Sequence, residues 1–181
     1  MLTCDTLLFM SVLISLFGFY ETAGTTNEAD CIMGHSFGTD TSEQGVNRQL
    51  VDTMKRYANG RPIIADRVLV RADPEGEKVY AHIIDGQITK MDGQSGTGKA
   101  LANAKAYMEG NDLTKPLMVA QKYHIDRVVR QAAKLGLHSI VPPGLPGQFD
   151  RRSKQVWTKN RLFFIPLNLF AYIKLKMDGE L

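Results

Sequence analysis

Short solid apolar runs alternate along this chain with longer stretches whose apolar residues recur at helical spacing. Cys31-Ile32-Met33 is a short run ending at Gly34-His35-Ser36-Phe37-Gly38, which predicts a first strand and a glycine-bearing loop. Val46, Leu50, Val51, Met54 and Tyr57 fall on one helix face, Asn59-Gly60 ends that helix, and Thr41 with Gln44 predicts a capping box before it. Pro62 to Ala65 is the next strand. Val68-Leu69-Val70 and Val79 to Ile84 flank a turn at Asp73-Pro74-Glu75-Gly76; either they pair, or the first is a loop and the second an edge strand. A glycine-rich loop leads to a helix from about Lys99 to Met108. Leu117 to Ala120 reads as a buried strand. Val128, Val129, Ala132, Ala133 and Leu135 continue it as a helix that begins near His124 and stops at Gly136. His138 to Val141 is the last strand, Pro142 to Gly147 a stiff loop, and Trp157 with Phe163 to Leu175 an apolar tail helix interrupted by Pro166. Strands alternating with helices predict an α/β fold with a mostly parallel sheet.

The first 24 residues stand apart. Leu7 to Tyr20 carries no charge, and Thr22-Ala23-Gly24 offers a small-residue cleavage site. The run is short for a membrane span of about 20 residues, and Asp5 stands where a signal peptide has Lys or Arg. Two readings stay open: a signal or membrane anchor, or a hydrophobic helix packed on the domain. Residues 21–30 are a polar linker, so the division is 1–24 and a single α/β domain over 25–181.

Composition narrows the function classes. At 181 residues, with 44% hydrophobic and 23% charged positions, the chain can bury the core of one domain. The net charge of +3 comes largely from the C-terminal third, where Lys154, Lys159, Arg161, Lys174 and Lys176 accumulate. That surplus is too weak and dispersed for nucleic acid; it fits an anionic membrane surface or a phosphate-bearing small molecule. Cys4 and Cys31 make neither a disulfide framework nor a metal site, and Cys31 reads as a buried hydrophobe.

The chemistry concentrates where strands hand over to helices. Gln121, Lys122, Tyr123 and His124 fall at the end of a strand, hence at the carboxyl edge of the sheet, where open α/β sheets bind ligands. His124 and Arg127 are three apart on the first helical turn, a titratable group beside a permanent cation. Gly93-Gln94-Ser95-Gly96-Thr97-Gly98-Lys99-Ala100 has the spacing of a phosphate loop. Ala100, however, stands where a magnesium-holding Ser or Thr belongs, and the motif follows a middle segment instead of the first strand. A nucleoside-triphosphate enzyme is therefore a remote alternative, while an anion-accepting turn with Lys99 near it remains.

These segments together resemble the YdcF/SanA/ElyC-like family of bacterial proteins, which is defined by a domain of unknown function. Ala29-Asp30-Cys31-Ile32-Met33-Gly34 is similar to the family's opening Asp-strand-Gly. Gln94 to Ala104 is similar to its Glu-Ser-x-Ser-Thr-x-Thr-x-x-Asn-Ala segment, and Ala120 to Arg127 to its Thr-Ser-x-x-His-x-x-Arg-Ala segment. Trp157 to Leu162, followed by an apolar helix, resembles its end. Ser95, Asn103, His124 and Arg127 match the family pattern. Gln94, Thr97, Gly98, Ala100, Ala120, Gln121 and Val128 depart from it, which bears on ligand preference.

The resemblance implies a three-layer α/β/α, Rossmann-like fold, a place in the bacterial cell envelope through an N-terminal apolar segment, and a ligand site for which S-adenosylmethionine is one candidate. It establishes no general reaction. The expected site is a nucleotide-like or phosphorylated small molecule held by Gly34, His35, Ser36, Gln94, Ser95, Thr97, Lys99, Asn103, Gln121 and Arg127. His124 is the candidate catalytic proton carrier, and no metal is expected. The alternative is a non-catalytic, membrane-associated envelope factor.

Overall fold

The computed structural model describes residues 22–84 and 96–179. Four short strands, β1 (Cys31–Gly34), β2 (Ile63–Asp66), β3 (His82–Ile84) and β4 (Pro116–Val119), form one sheet in the order β3-β2-β1-β4. All pairs are parallel, with Gly34 opposite Ala65 on one side and Val119 on the other. Ile140 adds a parallel bridge to Leu117, all that forms of the predicted last strand. Five α-helices occur among the described residues: α1 (Val46–Ala58), α2 (Arg67–Ala72), α3 (Gly96–Glu109) and α4 (Ile125–Lys134), which pack around the sheet, and the tail helix α5 (Arg161–Met177). Every residue of β1 and β4 is buried, as expected of solid apolar runs in a sheet covered on both faces.

The order of the strands decides where a ligand can enter. From β1 the chain steps outward to β2 and β3, with α1 and α2 packed together; it then returns through α3 to lay β4 on the other side of β1, with α4 against α3. The winding reverses between β1 and β4. In Rossmann-like sheets the loops leaving such a pair of carboxyl ends diverge, and the crevice between them is the usual ligand position.

The structure corrects several expectations. Val68-Leu69-Val70 is neither strand nor loop but the body of α2, because the Asp66 side chain caps that helix by accepting from the Val68 and Leu69 N–H groups. Val79 closes a 3₁₀ turn, and only His82–Ile84 forms a strand, at the sheet's edge. The capping box at Thr41 does not form; α1 begins at Val46 after Gly45, and Asp40 organises the preceding turn by accepting from Ser42. Asn59 and Gly60 do end α1, both at positive φ. Pro166 does not interrupt the tail helix, which Asn160 caps through the Phe163 N–H and which Phe164, Tyr172 and Leu175 anchor on the domain. Residues 22–30 also touch the domain: the Ala23 N–H donates to the Ser139 carbonyl, and Arg61 donates to the Thr26 and Ala29 carbonyls.

Candidate functional site

His35, His124 and Arg127 meet in the crevice between β1 and β4. His35 is the first residue after β1, and its N–H still donates to the Val119 carbonyl of β4, which fixes it at the switch point. His124 ends the turn after β4, and its own N–H is taken by the Gln121 carbonyl. The two imidazoles lie 5.3 Å apart between centroids, with the Phe37 ring 6.2 Å from that of His124. Arg127 Nη2 donates to His124 Nδ1 at 3.0 Å.

That last contact sets the chemistry of His124. A guanidinium carries donors only, so Nδ1 must accept and the ring's proton sits on Nε2. His124 is 4% exposed, and burial, the Arg127 charge and the neighbouring His35 all push its pKa well below the ordinary imidazole value. As a candidate proton carrier His124 therefore titrates below the ordinary imidazole range. The structure presents a neutral His124 that can donate from Nε2. His35 is lowered too, by burial and by Arg127, against an opposing pull from Asp66. Its Nε2 lies 3.2 Å from Thr97 Oγ1, on the first turn of α3, and its Nδ1 3.9 Å from Asp66 Oδ2.

Arg127 is the unusual member. Burial lowers its pKa to about 10, and its buried Nε has no hydrogen-bond partner. The neighbouring Asp126 does not neutralise it, since that carboxylate accepts from Arg130 Nε at 3.1 Å and from the Tyr172 hydroxyl. Among the described residues no carboxylate pairs with Arg127. A buried cation without a counter-charge is costly unless an anion completes it.

The other predicted residues divide. Ser36 borders the crevice, and its N–H donates to Asp66 Oδ2 at 2.7 Å. Thr97 joins through His35, and Lys99 sits half-buried on the same turn of α3. Gly34 serves packing: a Cβ there would lie 2.1 Å from Met54 Sδ and 2.7 Å from Leu69 Cδ1. Gln121 is a clamp between loops, accepting from the Tyr123 N–H and donating to the Gln148 carbonyl. Asn103 is exposed, and its Oδ1 lies 2.8 Å from His82 Nε2 beside β3, so it bonds there and not to the histidine pair. Gln94 and Ser95 lie outside the described residues. Asp30, in the opening motif, sits at the opposite end of β1 and ties it to β4 by accepting from the Thr114 and Lys115 N–H groups.

Two features were not anticipated. Asp66 both caps α2 and holds the Ser36 loop; a polar residue closing a strand ahead of Val68-Leu69-Val70 is a legible N-cap signal once that run is read as a helix. A groove of about 490 Å³ also runs between residues 40–46, residues 147–152 and the start of α5, with Asp40, Asp150, Arg151, Arg152 and Arg161 among its walls. None of the residues predicted from sequence lines it. No metal-binding cluster of His, Cys, Asp or Glu occurs among the described residues. No protein-family model, curated protein or solved structure matches the chain.

Proposed function

We propose that this protein is a small-molecule-binding α/β domain that holds an anionic group, a phosphate or carboxylate, in the crevice between β1 and β4. Arg127, at the strand-order reversal and with no carboxylate partner among the described residues, carries the reading. Arg127 is the electrostatic anchor, His124 a neutral donor from Nε2, and His35 with Thr97 a second polar contact on the facing wall. Nucleotides, sugar phosphates and S-adenosylmethionine, which carries a carboxylate, all present such a group. The resemblance to the YdcF/SanA/ElyC-like family is part of the proposal; the parallel Rossmann-like sheet and the pairing of His124 with Arg127 support it, and it would place the protein in the cell envelope.

A thermal-shift panel of inorganic phosphate, nucleotides, sugar phosphates and S-adenosylmethionine tests the reading, because a ligand of the folded state raises stability by mass action. Arg127→Ala should shrink the shift seen with any hit at a given concentration and move its titration to higher ligand. It removes a charge-assisted contact worth roughly 1.5–3 kcal/mol, or about tenfold to a hundredfold in affinity. A hit bound equally well by wild type and Arg127→Ala would place the site elsewhere, the groove beside α5 first.

A further inference from the structure

We propose that the outer face of α5 and the segment leading into it form a docking surface for an anionic lipid bilayer, with the helix lying flat in the headgroup region. Phe164, Asn168, Tyr172 and Leu175 face the domain. Leu162, Phe163, Leu167, Phe170, Ile173 and Met177 face outward, Leu162 at 83%, Phe170 at 70% and Met177 at 82% exposure. They recur at helical spacing as one stripe, continued by exposed Val156 and Trp157 on the preceding turn. A continuous apolar stripe of this size marks an interaction surface.

The charge around the stripe selects the occupant. Between Arg151 and Met177 there are seven Lys and Arg residues and no Asp or Glu. Arg151, Arg152 and Lys154 are exposed just ahead of the stripe, and Lys174 and Lys176 lie in its last turn, Lys174 bonded to Asp178 beyond it. Large aromatic and aliphatic side chains ringed by cations suit the boundary of a bilayer bearing anionic headgroups. A second copy would bring two such cationic rims together. Residues 7–20 carry no charge and so could cover the apolar stripe without answering the cations. At 17 residues, about 25 Å, α5 lies along a membrane, and no helix among the described residues is long and apolar enough to cross one.

Trp157, the sole tryptophan, stands on this surface and reports on it directly. The full chain is mixed with vesicles of phosphatidylcholine alone or with phosphatidylglycerol, each made with and without brominated acyl chains, and Trp157 emission is recorded. The expected result is a blue shift and bromine quenching on the anionic vesicles, weakened by salt. Phe163→Glu with Phe170→Glu should abolish quenching while the urea midpoint holds, and Arg151→Glu with Lys154→Glu should weaken partitioning by roughly tenfold or more. Because quenching reads the depth of Trp157 itself, retention by the N-terminal run cannot imitate it. Absence of quenching in wild type, or equal quenching in the Phe163/Phe170 variant, overturns the proposal. So does a concentration-dependent dimer broken by that variant without lipid quenching, which would assign the face to a second copy. A lowered urea midpoint without quenching would assign it to residues 7–20 and overturn the proposal as well.

Discussion

At the scale of single residues, the crevice turns on one hydrogen bond. Arg127 Nη2 to His124 Nδ1 fixes the tautomer, and the same charge keeps the ring neutral. His124 and Arg127 were legible because a solid strand followed by a helical period puts a pair three apart on the first turn, at the ligand-binding edge. Their protonation was not legible, because it depends on burial and on His35, far away in sequence. The groups facing His124 are Arg127 and His35, and both oppose its protonation. Its folded pKa lies below its unfolded value, so the unfolded chain binds more protons in the window between the two. Stability is therefore full above the ordinary imidazole pKa of about 6.5 and falls as pH drops below it. His124→Gln should reduce the slope of the urea-midpoint profile between about pH 6.5 and the onset of carboxylate titration near pH 4, leaving the share of His35, whose pKa is lowered too. A profile that is already flat there in wild type would mean the ring is not held neutral. Arg127→Ala should move the His124 resonance titration upward in an NMR pH series, since one of the charges lowering it is gone.

At the scale of elements, β1, β2 and β4 followed from their apolar runs, while α2 did not. Three apolar residues in a row fit either a strand or a helical turn, and the decision falls to Asp66, whose carboxylate satisfies the Val68, Leu69 and Ser36 N–H groups. Asp66→Ala should lower stability by about 2–3 kcal/mol in urea unfolding, from a lost cap and a stranded loop N–H. It should also loosen the loop that carries Ser36. A change under about 0.5 kcal/mol would show that the cap is dispensable. Gly34 presents the complementary case. In the sequence it reads as a ligand-loop glycine, yet it lies where α1 and α2 press Met54 and Leu69 onto the end of β1. Gly34→Ala should cost roughly 1–3 kcal/mol by overpacking, read in the same titration, and leave the affinity of any anion found at Arg127 within about twofold if the loop keeps its place. A large loss of affinity with an unchanged midpoint would return Gly34 to the site.

At the scale of the whole molecule, the pattern of strands and helices foretold a parallel sheet whose carboxyl edge gathers the loops of His35 and His124. That the two loops leave neighbouring strands depends on the return of the chain from β3 to β4, which no local pattern encodes; it brings together residues 89 positions apart in sequence. The same return exposes the loop after β1 to the tail. Phe37, which flanks His124, packs edge-on against Phe149 and Phe164, so the aromatic cluster joins the start of α5 to the wall of the crevice. Near its far end the Tyr172 hydroxyl reaches Asp126 on α4. The tail helix is thereby tied to the loop after β1 and to the first turn of α4, and its stability should be that of the domain. Phe163 and Phe164 offer a direct comparison, being adjacent in sequence, the first exposed and the second buried. Phe164→Ala should cost about 3–5 kcal/mol as a buried aromatic is truncated. Phe163→Ala should stay within about 0.5 kcal/mol. Both should unfold in one transition, followed by Trp157 fluorescence and by far-ultraviolet circular dichroism together. Two equally small effects would mean that α5 is not docked. A fluorescence transition that precedes the circular-dichroism transition would mean that the helix leaves the domain before the sheet unfolds, and that the crevice keeps its shape without it.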